Sequence, residues 1–233
     1  MEHNNTPTTN PTHLYVLLDR SGSMNAIKPE VIEGFNGFIF GQQRSGDDAR
    51  LTLVQFDTHD LAETVIDDIP IREVRPLGWD DFRPRGGTPL LDATGLLIGK
   101  ARLRTDLRAA EGRPEDVMFV TITDGHENAS REMTRPRLSA LIEEREAAGW
   151  TFVYLSAGLD AYSDARSFGY KAASVQAFAP DAEGAGLAFT SLEVAVSAHR
   201  VDKRAGRPAP AAGVWRGVKA AEADRRAKRG DDR

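Results

Sequence analysis

His13-Leu14-Tyr15-Val16-Leu17-Leu18-Asp19-Arg20-Ser21-Gly22-Ser23 joins an apolar run to a cluster of hard oxygen donors. Residues 13–18 have the length of a strand and show no polar alternation, the pattern of a strand covered on both faces. The run ends in one carboxylate and two hydroxyls on a glycine-containing turn. Those groups suit Mg²⁺ or Mn²⁺ far better than a soft metal. Asp, Ser and Gly are also ordinary turn formers, so the weight of this stretch depends on what the rest of the chain supplies.

Working outward, residues 29–44 predict a helix. Val31, Ile32, Phe35, Phe38 and Ile39 recur at helical spacing, and Pro29 suits the first turn. Gly34 and Gly37 weaken this helix, so tertiary packing must hold it. Residues 51–57 predict a second strand. The connection Thr58-His59-Asp60 is too short for a parallel crossover, so residues 62–66 pair antiparallel with that strand at the sheet edge. Residues 89–107 predict a helix, 117–123 a buried strand, and 136–148 a helix stopped by Gly149. Then come a strand at 151–156, a short helix at 160–168, a short strand at 173–178 and a final helix at 185–200. This order predicts an α/β, doubly wound, mostly parallel sheet with one antiparallel edge strand and helices on both faces, within a domain over residues 12–200. Residues 1–11 are polar. Residues 201–233 are rich in Ala, Arg and Asp. Both flanks read as disordered, the second with one short helix over 214–228.

Two further stretches complete the pattern. Gly86-Gly87-Thr88-Pro89-Leu90 places Thr88 just before a helix, after glycines that admit close backbone approach. Val120-Thr121-Ile122-Thr123-Asp124-Gly125 is a strand ending in Asp124. Ligands of doubly wound sheets bind outside the carboxyl ends of the strands where the helix connections diverge. Asp19 and Asp124 end the two strands that flank that crevice, and Thr88 comes from the loop beside them.

Asp-x-Ser-x-Ser, a distant Thr and a distant Asp, in this order, resemble the metal-ion-dependent adhesion site of von Willebrand factor type A (VWA) domains. The element order over residues 12–200 resembles the same Rossmann-like fold. The resemblance implies Asp19, Ser21, Ser23, Thr88 and Asp124 as the metal set, with Mg²⁺ (or Mn²⁺) as cofactor. It implies direct binding by the hydroxyls, with the aspartates commonly acting through water. It implies an open position that takes an Asp or Glu from a partner protein, and so a non-catalytic binding module. Bacterial or phage intracellular domains of this kind work beside ATPases or stress-response systems, which sets the expected partner. Neighbouring residues receive plainer readings. Arg20 points to solvent or to a partner acid. His126, Glu127 and Asn128 form a solvated loop on the rim. Trp79, Asp80 and Asp81 serve packing and solvation. His59 is a turn residue, and Phe35 and Phe38 belong to the core.

Composition narrows the alternatives. The 233 residues contain no cysteine, which excludes disulfides, Cys-ligated zinc and a thiol nucleophile. Five scattered His with no His-x-x-x-His pair argue against a zinc site. No Gly-x-x-x-x-Gly-Lys-Ser/Thr loop is present, so an ATPase activity must come from a partner. A Mg²⁺-dependent phosphoryl-transfer enzyme is the alternative class. A dehalogenase-like phosphatase needs a second Asp where Ser21 stands, so the general acid is missing. Nucleic-acid binding through the tail is the third class. Residues 201–233 carry +5, so the preceding 200 residues carry −10 within the overall −5, and an acidic body argues against such a role. The N-terminus lacks the basic and apolar regions of a secretory signal. No apolar run nears the roughly 18 residues that span a bilayer. The expectation is a cytoplasmic protein with no membrane contact.

Overall fold

The computed structural model describes residues 10–157, 161–179, 181–207 and 215. Six strands form one sheet in the order β3-β2-β1-β4-β5-β6. β1 (Thr12–Asp19) lies at its centre, between β2 (Ala49–Phe56) and β4 (Asp116–Thr123), and is parallel to both. β5 (Thr151–Ser156) and β6 (Val175–Ala177) extend the parallel part. β3 (Glu63–Pro70) pairs antiparallel with β2 at the edge, as the short connection requires. It runs four residues beyond the expected 62–66, through a bulge at which Asp68 adopts φ 56°. Arg50 and Arg108 hold the Asp68 carboxylate there. An acidic, bulged edge resists pairing with other strands.

The alternation of side chains along the central strands creates two cores. Leu14, Val16 and Leu18 of β1 face one side, with α1 (Lys28–Ser45) and α5 (Ala182–Arg204). Tyr15 and Leu17 face the other, with α2 (Leu90–Ala110), α3 (Arg135–Ala147) and α4 (Ala161–Ser167). Phe35 and Phe38 are core residues, 0% and 1% exposed. Trp215 joins the α1–α5 core although it lies beyond the expected domain limit of residue 200. The remaining expectations for the flanks, including the helix at 214–228, fall mostly outside the described residues. Among the described residues no helix is long and apolar enough to cross a membrane.

The glycines of α1 have a packing role at two positions. A Cβ on Gly34 would stand 2.4 Å from the Phe189 ring, and one on Gly41 would stand 2.2 Å from Glu193. Their absent side chains let α5 lie close against α1. Gly37 meets nothing within 4 Å and supplies no such contact. Arg200 locks the same helix pair. Its fully buried guanidinium donates to Gln42 O (2.9 Å), Gln42 Oε1 (3.0 Å), Gly46 O (2.9 Å) and Asp48 Oδ1 (2.5 Å).

Among the described residues two histidines lie buried. His13 sits between Thr52 Oγ1 (2.9 Å) and Glu115 Oε2 (3.1 Å), and burial lowers its pKa against the pull of Glu115 and Asp68. His199 is lowered to about 4, by burial first and by Lys203 second. Both groups take up protons more readily in the unfolded chain. The stability they contribute is therefore complete above about pH 6.5 and declines as pH falls from there toward 4. Urea midpoints measured between pH 7.5 and 4.5 should fall with acidification, and His199→Gln should flatten the slope.

Candidate metal centre

β1 and β4 run side by side, so their carboxyl ends bring distant residues together. Asp19 is the last residue of β1 and is fully buried. Asp124 immediately follows β4. A 3₁₀ helix, Gly22–Ile27, carries the chain from Asp19 toward α1. The Ser21 N–H donates to Asp19 Oδ1 at 2.7 Å, folding the turn back over the carboxylate. Ser23 Oγ donates to Asp124 Oδ1 at 2.9 Å and lies 3.1 Å from Ser21 Oγ. A Cβ added to Gly125 would lie 3.6 Å from Thr88 Oγ1 and 3.8 Å from Ser23 Oγ, so the Thr88 hydroxyl shares this space. All five residues expected from the sequence thus meet at one end of the sheet.

The electrostatics are those of a carboxylate pair short of positive charge. Burial pushes Asp19 up to about 6, against the opposing hydrogen bonds from Thr123 and Ser21. Burial also raises Asp124, against the Ser23 hydroxyl. Two carboxylates and three hydroxyls are an all-oxygen set that fits a hard divalent ion and not a soft one. Among the described residues no three His, Asp, Glu or Cys side chains converge as a metal cluster, so hydroxyls must form most of any protein-supplied shell. An open groove of about 510 Å³, lined by Val65, Ile69, Val74 and Leu77 among others, lies along the edge strand and contains none of the five.

Residues passed over in the sequence hold the site in shape. Thr123 Oγ1 donates to Asp19 Oδ2 at 2.6 Å. Its signal was a hydroxyl inside a buried apolar strand. Arg20 does not point to solvent. It is 4% exposed, and its Nε donates to Asp57 Oδ2 at 2.9 Å. Glu63 and Gln55 accept from its Nη1. Asp57, the residue after β2, also receives Arg85 Nε at 2.9 Å and the N–H groups of His59 and Asp60. Burial works against its ionisation, but these donors and the Arg20 charge hold its pKa below the usual value. The first and second loops are further joined by Gly22 N to Gly86 O (3.0 Å) and Arg85 N to Arg20 O (2.9 Å).

Glu127 and Asn128 are not a solvated loop either. Asn128 Oδ1 accepts from Thr88 N at 2.9 Å, and Asn128 N donates to Thr88 O at 3.2 Å. Glu127 accepts from Leu91 N at the start of α2 and from Ala129 N and Ser130 N in its own loop. Unpaired N–H groups at a helix start draw carboxylates in this way. A free loop and a stapled one have the same composition, so the sequence could not separate them. His126 is exposed and pairs with Asp164 of α4, His59 is exposed on a turn, and Trp79 is exposed at the start of a short 3₁₀ helix, Trp79–Asp81.

No protein-family model and no curated protein matches this sequence. Similarity appears in three dimensions. The pilus adhesin SpaC from Lactobacillus rhamnosus GG superposes with a TM-score of 0.61 at 12% identity, over 82% of this chain. The chain spans only 31% of the SpaC structure's length. The SpRpn10 VWA domain gives a TM-score of 0.53 at 12% identity, over 76% of this chain and 92% of that domain. The manganese-loaded Plasmodium vivax TRAP protein gives 0.50 at 14% identity, over 76% of this chain and 71% of that one. At such identities the likeness concerns fold alone. With its strand order, its single antiparallel edge and these neighbours, the chain has the von Willebrand factor type A fold.

Proposed function

We propose that the chain is a non-catalytic protein-binding module whose site holds Mg²⁺, or Mn²⁺ in its place, and receives an acidic side chain from a partner protein. The observation that carries this reading is the meeting of Ser21, Ser23 and Thr88 with two pKa-raised carboxylates, the buried Asp19 and the half-buried Asp124, at the crevice between β1 and β4. A neighbour solved with manganese supports a divalent ion in this fold. The bound ion would supply a positive centre with room for one further carboxylate. Ser21, Ser23 and Thr88 would hold it directly, while Asp19 and Asp124 balance its charge. Thr123 and the Ser21 N–H fix the Asp19 carboxylate in one orientation. Ser21 occupies the position where a phosphoryl-transfer acid would stand, which favours binding over turnover. The cytoplasm is the proposed compartment, with an ATPase or stress-response component as the partner class.

Calorimetric titration with Mn²⁺ and Mg²⁺ tests the site. Ser21→Ala and Asp124→Ala should each weaken binding by at least about tenfold, about 1.4 kcal/mol. Equal affinity in the wild type and both variants would remove the metal from this reading. Generic phosphatase substrates should give no metal-dependent turnover. Turnover abolished by Asp19→Asn would replace the binding reading with the enzymatic one.

A further inference from the structure

The outward face of α5 carries no charge over four turns. Leu187, Thr190, Val194, Ala198 and Val201 follow a 3-4-4-3 spacing, which places them on one stripe of the helix. Leu187, Val194 and Val201 are 36%, 51% and 43% exposed. The hydroxyl of Thr190 is turned inward, donating to Gly186 O at 2.9 Å, so its methyl group is left on the face. Beside the stripe, Gly186, Ser191 and Ser197 are small, and the flanking charges are Glu193, which is half-buried, and Asp202 at its C-terminal end. Ser197 has its hydroxyl engaged by Gln42 and Glu193. The other long helices differ. The exposed residues of α1 include Glu33 and Arg44, those of α3 include Arg137 and Glu143, and the exposed leucines of α2 stand among Lys100, Arg102 and Asp106. A helix face without charge is normally one that is covered.

We propose that this face is covered by the same face of a second copy of the chain, with the two α5 helices antiparallel about a twofold axis at Val194. The sequence of the stripe fits itself in that register. Val194 meets Val194 of the second copy, Leu187 meets its Val201, and Thr190 meets its Ala198. The charged ends also agree. Glu183, in the first turn, comes within one residue of level with Arg204 of the second copy on the same flank of the contact, and that arginine also holds Asp48 of its own chain. A parallel pair would instead set Glu183 against Glu183 and Arg204 against Arg204. Self-complementary contact about a twofold is the commonest route to homodimers. The stripe is about 21 Å long at 1.5 Å per residue. That is a small contact, so the dimer depends on concentration.

Sedimentation velocity on the full chain in EDTA, from about 5 to 200 µM, tests this independently of any metal. The wild type should pass from monomer to dimer. Val194→Arg and Val194→Glu should each be monomeric throughout, because like charges then face each other on the axis. An equimolar mixture of the two should dimerise again. Circular dichroism melts of both variants should stay near the wild type, since position 194 is half exposed. A monomeric wild type, a dimer that survives Val194→Arg, or a mixture that remains monomeric would each overturn the proposal.

Discussion

Arg200→Met should lower the stability of the fold by about 3–5 kcal/mol, the range for removing one partner of a buried charge pair. Methionine fills most of the volume, so the loss isolates the polar contacts. Arg200 is 0% exposed and satisfies four acceptors from the end of α1 and the turn into β2. Without it, Gln42 O and Gln42 Oε1 lose these donors in the buried interior, where each such group costs about 1–3 kcal/mol, and Gly46 O loses its donor at the half-buried turn. Asp48 keeps Arg204 at 2.7 Å, which limits the damage on that side. Arg200→Lys should fall between, because an ammonium keeps the charge but cannot reproduce the planar fork. Urea unfolding at pH 7 measures both. An Arg200→Met midpoint within error of the wild type would show that the α1–α5 contact rests on the glycine packing alone.

Asp19→Asn should act in the opposite direction on the metal-free protein, raising its stability by about 3 kcal/mol at pH 7. The wild-type carboxyl is raised from 3.8 to about 6 in the folded state, chiefly by burial. A raised carboxyl pKa means that the folded state holds its proton longer. The stability tied to that proton is complete below pH 3.8 and is lost as pH rises through 6, so the wild type bears the full cost at neutral pH. Asparagine never ionises and escapes that cost. It can still accept from Ser21 N, while Thr123 Oγ1 has Gly125 O (3.2 Å) as another acceptor. In EDTA the gain should be largest at pH 7 and vanish near pH 3.5. Added Mg²⁺ should stabilise the wild type and leave Asp19→Asn unmoved. A variant no more stable than the wild type in EDTA would mean that the buried charge is better solvated than its hydrogen bonds indicate.

The parts of this fold that sequence patterns express well are those where a single rule dominates. Residues 13–18 and 117–123 read as buried strands because nothing polar interrupts them, and the three-residue link at 58–60 left antiparallel pairing as the only choice. The five candidate ligands were visible because each of the three stretches that carry them follows a strand or precedes a helix. What escaped detection was pairing at a distance. Arg20 looks like a surface residue until Asp57, 37 positions later, lies beneath it. Asn128 looks like a loop residue until Thr88 accepts and donates across 40 positions. Long-range polar pairs leave no periodic trace, and neither does a close approach such as that of Gly34 to Phe189.

The staples around the site also bear on rates. The loops carrying Ser21, Thr88 and Asp124 are tied to one another by the protein's own hydrogen bonds, through Gly22–Gly86, Asn128–Thr88 and Ser23–Asp124. The entropy of bringing them together is therefore already spent in folding. A divalent ion entering such a site waits on the loss of its own hydration water and on no closing movement of the chain. Capture and release should then follow the ion's intrinsic exchange rate, fast for Mn²⁺ and slower for Mg²⁺, and should respond little to solvent viscosity.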